Sequence, residues 1–361
     1  MIPRVTLPGG YSISRLIKGG WHLVGDHGTV NAEQARSDMA SFVTAGITTF
    51  DCADIYTGVE ELIGTFRRAF PQLAARTQVH TKFVPDLSEL ERVDPRSIER
   101  TVDRSLLRLG MERLDLVQFH WWDFGVPRYV ETAIALDKLR RAGKIAHLGV
   151  TNFDTARLRE LLDAGVPVLA HQVQYSLLDE RPKSSMVGLC QEHGIALLCY
   201  GTVAGGFLSE RWLGRPEPDG PFANRSLTKY KLIIDDFGGW PLFQELLAVL
   251  ARIAARHGSD IASIATRAVL DRAGVAAAIV GATNTAHLQA HSRISALSLD
   301  GSDLAAIATV TDQRHGPGGD VYELERDRNS RHGSIMRYEL NALTKESASA
   351  RHPVGGAQNV G

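Results

Sequence analysis

Cysteine is scarce in this 361-residue sequence: Cys52, Cys190 and Cys199, with no Cys-x-x-Cys pair. An odd, sparse set without paired spacing argues against a disulfide framework and fits a reducing compartment. Charge of one sign is missing too, since 40 Lys+Arg stand against 41 Asp+Glu. That balance removes the electrostatic case for nucleic acid or an anionic membrane as a partner. No apolar run approaches the roughly 20 residues of a membrane span. The opening MIPRVTLPGG lacks the charged-then-apolar pattern of a signal peptide, so a cytoplasmic location is expected. No His-x-His or His-Glu-x-x-His run occurs, and no metal site is expected. No Gly-x-Gly-x-x-Gly turn follows an early strand, which disfavours a doubly wound dinucleotide fold. Short solenoid repeats are absent.

What is present is alternation. A small hairpin is expected over 4–15, turning at Pro8-Gly9-Gly10. Apolar runs near 16–20, 47–51, 78–82, 114–119, 145–150, 168–173, 195–200 and 276–280 predict strands. Amphipathic stretches near 32–45, 60–70, 95–109, 127–141, 154–164, 183–193, 241–257, 260–272 and 285–296 predict helices. Asn31 and Asp94 read as N-caps, and Gly143 and Gly165 as stops. The segment 201–240 reads as long, polar and Gly/Pro-containing. Eight strand-then-helix units between about 16 and 296 predict a (β/α)8 TIM barrel, preceded by the hairpin and followed by a C-terminal extension. The barrel is expected over 1–312. A C-terminal segment, 313–343, is expected to pack near a pocket mouth, and a small, polar, disordered tail is expected over 344–361.

The stretch GITTFDCADIY (46–56) ends a buried strand in Asp51, Asp54 and Tyr56. Other strands end alike: Lys82, His120, Thr151-Asn152, Gln172 and Tyr200. In a parallel barrel these groups share the C-terminal rim, where active sites lie. Tyrosine is a weak acid, with a reference pKa of about 10. A neighbouring ammonium lowers that value. Lys82 would supply the charge, Asp51 would hold Lys82 protonated, and His120 would hydrogen-bond a carbonyl oxygen. Tyr56 would then donate a proton as charge develops there. Asp54 is expected to hold the loop that aims Tyr56. No group in this set is a hydride source, so a reduction needs a cofactor.

The motifs DCADIYTGVEELIG (51–64), HTKF (80–83), VQFH (117–120), GVTNF (149–153), HQVQYS (171–176) and CYGTVAGGFLS (199–209) together resemble those of the aldo-keto reductase superfamily. The resemblance implies a catalytic tetrad of Asp51, Tyr56, Lys82 and His120, with Tyr56 as the general acid/base. It implies NADP or NAD as cofactor, its carboxamide held by Thr151, Asn152 and Gln172 and its ring stacked on Tyr200. Gly201, Thr202, Gly205 and Leu208 would lie along the pyrophosphate. Near the last strand, Gly281, Thr283 and His287 stand where the family often places basic residues against the 2′-phosphate. Ala290 and His291 replace a common Glu-Asn, and the nearest arginine is Arg293. NADP is therefore the family default, with NAD about as well supported. The substrate would be a small carbonyl or alcohol compound, with Trp21 and Trp121 lining its pocket; His22, Trp122 and Phe124 lie beside them. One of Arg211, Arg215, Arg225, Lys229 and Lys231 would reach the pyrophosphate, and the arginines of 316–340 would serve an anionic substrate or an oligomer contact. Two alternatives stay open. One is a cofactor-bound regulatory subunit like potassium-channel beta subunits; the other is a Schiff-base aldolase using Lys82. Oligomeric state is unreadable.

Overall fold

In a computed structural model, residues 2–24, 31–282 and 284–341 are described. The N-terminal hairpin pairs β1 (Arg4–Thr6) with β2 (Ser12–Ser14), Val5 facing Ile13. Eight further strands follow: β3 (Leu16–Gly19), β4 (Thr49–Asp51), β5 (Gln78–Phe83), β6 (Leu114–Phe119), β7 (Ile145–Thr151), β8 (Val168–Gln174), β9 (Ala196–Tyr200) and β10 (Val275–Gly281). Each pairs in parallel with its neighbour, and β10 closes the barrel on β3, Gly281 opposite Gly19. The (β/α)8 TIM barrel is thus the fold.

Period-two alternation decides what the interior holds. At the hairpin end, Ile13, Ile17, Leu116, Ala170, Leu198 and Ala277 form a closed apolar cluster. Two residues further along the strands the inward positions turn polar: Gln118 on β6 and Gln172 on β8. The hairpin plugs the apolar end, and every chemistry-bearing strand end lies at the other.

The helices start where side chains can satisfy their free N–H groups. Asn31 accepts from Glu33 and Gln34, both at 3.0 Å, and opens Ala32–Thr44. Asp94 and Ser97 form a reciprocal capping box ahead of Pro95–Leu109. That helix buries Ile98, Val102, Ser105 and Leu109 along one stripe. Gly143 and Gly165 take left-handed backbone angles after their helices.

Three differences from the sequence reading stand out. The 201–240 segment contains a helix, Arg225–Phe237, capped by Asn224. Its Leu227, Tyr230, Ile233, Ile234 and Phe237 recur at helical spacing and pack into a second apolar cluster. The lysines between them made the stretch look polar. A further helix, Gly301–Thr311, starts at a capping box formed by Asp300 and Asp303. The expected 285–296 helix is split into a 3-10 turn, Thr285–His287, and a short α-helix, Leu288–Ile294.

The segment after Thr311 crosses the polar end of the barrel. Asp320 accepts from Thr155 N at 2.9 Å. Glu325 is buried against Arg181 at 2.9 Å and Lys229 at 3.3 Å. Leu87 N donates to Tyr338 O at 2.9 Å, and Asn341 Nδ2 to Val84 O at 2.9 Å. The expected tail at 344–361 lies outside the described residues. No helix among the described residues is long and apolar enough to cross a membrane.

Candidate active site

A cavity of about 870 Å³ opens at the polar end. Its floor is the strand ends. Lys82 Nζ lies 2.7 Å from Asp51 Oδ2 and donates to Cys52 O at 2.8 Å. Asp51 Oδ1 accepts from Gln118 Nε2 at 3.0 Å and from Gln172 Nε2 at 2.6 Å. Both oxygens of this buried carboxylate are therefore satisfied, as a buried charge requires. Burial works against the Lys82 charge, but Asp51 overrides it and pushes the lysine up to about 12. A lysine held protonated is no nucleophile at neutral pH, which counts against Schiff-base chemistry.

Tyr56 packs against this pair, Lys82 Nζ standing 5.0 Å from its ring centroid. Sequence reasoning expected the ammonium to lower the phenol's pKa. Lys82 does pull it down, but burial raises it by more, so the phenol's pKa lies above its ordinary value. A proton donor at neutral pH is the consequence. Asp54 sits behind it, accepting from Ile55 N at 3.0 Å and from Val84 N at 3.3 Å. That ties the Tyr56 turn to the end of β5. Burial, then Glu60, pushes Asp54 up to about 8.

His120 departs from expectation. Its Nδ1 lies 3.1 Å from Thr151 O. A carbonyl oxygen can only accept, so Nδ1 carries the proton. Burial, and then the nearby Arg326, hold the ring's pKa down to about 3, so it stays neutral. Nε2 is buried without a partner among the described residues and presents a lone pair. In this state His120 accepts a hydrogen bond; it does not donate one to a carbonyl.

Asn152 adopts a left-handed φ of 61°, uncommon outside glycine but tolerated by asparagine. Its Oδ1 accepts from Tyr200 OH at 2.9 Å. That leaves Nδ2 as a free donor among the described contacts. Gln172 spends Nε2 on Asp51 and on Gln118 Oε1 at 3.2 Å, which leaves Oε1 as a free acceptor. Thr151 Oγ1 donates to Gln172 O at 3.2 Å. One free donor beside one free acceptor complements a primary carboxamide, so these residues fit the amide of a nicotinamide.

Along the cavity, Gly201, Thr202, Gly205 and Leu208 all contribute to the wall. Gly201 and Gly205 have φ of 76° and 64°. A Cβ at either would stand 2.6 or 2.7 Å from Tyr230 of the Arg225–Phe237 helix. Lys229, one residue earlier, places its ammonium 5.4 Å from the Tyr200 ring centroid and 5.3 Å from that of Tyr322. At the far end, His22 lies directly over Gly281, 2.3 Å from where a Cβ would be. His287, Ala290, His291, Asp260, Arg211 and Arg225 also line the cavity. Thr283 lies outside the described residues, and Arg293 is exposed.

Of the two tryptophans expected to face substrate, Trp21 does. It donates to Ser226 Oγ at 3.2 Å and meets the Tyr56 ring edge-on. Trp121 does not: it is fully buried, packs on Phe119 and donates to Val126 O at 3.1 Å. Trp122, one position later, takes the wall place beside His120, their ring centroids 4.3 Å apart. Trp122 lies two residues beyond His120, as His120 lies two beyond Gln118, so the period of two continues past β6 and selects Trp122 over Trp121. Sequence reasoning also missed Gln118, although it lies two residues before His120 and hence on the same face. It missed Tyr322, Ile335, Met336 and Leu340 as cavity wall, for which the sequence carries no local signal. No cluster of metal-ligating residues occurs among the described residues.

Residues 15–312 match the model of the Aldo/keto reductase family. A Bacillus subtilis protein, Aldo-keto reductase YhdN, is 29% identical over 83% of this chain and 91% of its own length. The NADH-specific methylglyoxal reductase of Escherichia coli is 25% identical over 82% of this chain and 93% of its own. Flagellar radial spoke protein 5 of Chlamydomonas reinhardtii is 30% identical over 61% of this chain, which spans about half (49%) of that protein. Among solved structures, a glycerol dehydrogenase of Gluconobacter oxydans superposes with a TM-score of 0.74 at 22% identity, covering 88% of this chain and 97% of the other. That likeness is one of fold alone.

Proposed function

The chain belongs to the aldo/keto reductase family, and from that premise we propose that it interconverts a small carbonyl compound and its alcohol with a nicotinamide cofactor, Tyr56 being the proton donor. The observation that carries this reading is the pairing of a free Asn152 Nδ2 with a free Gln172 Oε1, set one hydrogen bond away from the Asp51–Lys82 pair that flanks Tyr56. A bound nicotinamide supplies the hydride. Asn152 and Gln172 orient its amide, and Gln172 also couples that amide to Asp51. Tyr56, protonated at neutral pH, hands its proton to the carbonyl oxygen as negative charge builds there. The Lys82 ammonium steadies the phenolate left behind, and Asp51 keeps Lys82 charged. The alcohol's single hydroxyl hydrogen is the one exchanged with Tyr56, and His120 Nε2 accepts it only once the product alcohol has turned away from the phenolate. Trp21, Trp122 and Tyr322 give the reacting end of the cavity an aromatic wall. The histidines and Asp260 around Gly281 offer no arginine fork for a 2′-phosphate, so NAD and NADP both stand as candidates.

Quenching of intrinsic tryptophan fluorescence on titration with NADH and NADPH tests the reading. Tight binding of one dinucleotide is expected. Tyr56→Phe should then lower turnover on an aldehyde panel by roughly 10²–10⁴ with dinucleotide affinity nearly kept. Equal, weak binding of both dinucleotides, or full turnover by Tyr56→Phe, would overturn it. Tight binding with negligible wild-type turnover and a stably associated larger partner would point to a regulatory subunit instead.

A further inference from the structure

Arg326 lies beyond residue 312, where the family match ends. It comes from the short helix Glu323–Arg326 in the segment that crosses the barrel rim. Its guanidinium makes no ion pair among the described residues. It spends its hydrogen bonds on backbone: Nη2 donates to Asn152 O at 2.6 Å and to Trp121 O at 3.2 Å, and Nη1 to Tyr322 O at 3.4 Å. The Phe124 ring packs against it, with the guanidinium carbon 4.2 Å from the centroid. One side chain therefore joins the loop after β6, which carries His120 and Trp122, to the loop after β7, which carries Asn152. A guanidinium suits this task because its rigid fork of donors reaches two carbonyls at once.

The contact falls on a residue of left-handed backbone at the cofactor end. Asn152, at its left-handed φ of 61°, is held at three points. Its N–H donates to Gln172 O at 3.0 Å, its Oδ1 accepts from Tyr200, and its carbonyl accepts from Arg326. Released from Arg326, the peptide after Asn152 keeps its bond from Phe153 N to His171 Nε2 at 3.2 Å but loses the hold on its carbonyl, which can then swing towards a relaxed conformation. The side-chain amide would then leave the direction that complements Gln172 Oε1.

We propose that Arg326 is a positioning residue for the nicotinamide clamp: by holding the Asn152 carbonyl, it aims the Asn152 amide at the cofactor's carboxamide. This rests on the nicotinamide reading of the site. The segment beyond the family match is thereby part of the cofactor site without touching the cofactor.

Calorimetric titration of the full chain and of Arg326→Met with two ligands tests the assignment. One ligand is the preferred dinucleotide; the other is its fragment without nicotinamide, ADP-ribose or the 2′-phosphate of ADP-ribose. Loss of one well-aimed hydrogen bond should weaken dinucleotide binding about tenfold, with fragment affinity unchanged within roughly twofold. In an Asn152→Ala background, Arg326→Met should add nothing further. Arg326→Lys, which keeps the charge and can reach one carbonyl, should weaken the dinucleotide alone, by less; it serves the same test if Arg326→Met does not fold. Equal loosening of both ligands, or of neither, overturns the proposal, since a merely structural anchor would not single out the nicotinamide half. A wild-type chain that binds neither dinucleotide overturns the nicotinamide reading itself, and this assignment with it.

Discussion

Single residues divide here according to burial more than type. Tyr56 and Asp54 are two residues apart, and burial raises the pKa of both. For Tyr56 the result is a proton kept through the neutral range. Carbonyl reduction should therefore be nearly flat in kcat/KM from pH 6 to 9, and a fall centred near neutrality would implicate another acid. For Asp54 the consequence is for stability. Its folded pKa of about 8 stands above the ordinary aspartate value of 3.8, so between those values the folded state binds the extra proton. The stability tied to that proton is complete below the lower value and is lost as pH rises through the upper one. Asp54→Asn keeps an oxygen for Ile55 N–H and removes the titration. Thermal unfolding of the wild type should show a steeper decline from pH 5 to 8 than the variant, and parallel profiles would refute the shift. Trp121 and Trp122 give a third contrast. Trp121→Ala should cost roughly 3–5 kcal/mol of stability, read from urea denaturation. Trp122→Ala should mainly change KM for substrate.

At the scale of elements, the strands were the most legible part. Eight apolar runs gave eight strands with ends within about two residues of expectation. A parallel strand buried on both faces must be apolar along its length, and the polar terminal residues then stand out. The Arg225–Phe237 helix was not legible, because its apolar stripe is interleaved with Arg225, Lys229 and Lys231. Its N-cap, Asn224, was the missed signal. Asn224→Ala should cost about 1 kcal/mol. The same helix explains the glycines after β9. Gly201→Ala or Gly205→Ala adds strain from a positive φ and a collision with Tyr230. Each should destabilise the chain and weaken dinucleotide binding, with Tyr230→Ala in the same chain restoring part of the loss. Recovery in neither measurement would show that Tyr230 is not the obstacle.

Across the whole molecule, the barrel supplies the chemistry and the C-terminal segment completes the chamber. The join is electrostatic as well as apolar. Arg181 is buried between Asp179 and Glu325, and Glu325 also meets Lys229. Burial opposes the Glu325 charge, but Lys229 and Arg181 hold its carboxyl well below the usual range. Removing one member leaves the others uncompensated in a low-dielectric interior. Glu325→Ala should therefore cost roughly 3–5 kcal/mol by urea denaturation and raise KM, because Tyr322 and Met336 of the same segment form cavity wall. Unchanged stability would mean that the segment is only laid on the surface.

The division between sequence and structure follows range. Strand periodicity, helix caps and the polar strand ends are properties of neighbours along the chain, so the barrel, its rim and the Asp51–Tyr56–Lys82–His120 set could be read directly. Three things depended on groups far apart in sequence, and only the tertiary structure decided them. His120 presents a lone pair because the Thr151 carbonyl accepts from its Nδ1–H, and Tyr56 stays protonated because burial outweighs Lys82. Arg326 reaches Asn152 across 174 positions of chain. Desolvation and hydrogen-bond partnership are set by what the folded chain brings alongside a group, and no local pattern encodes that.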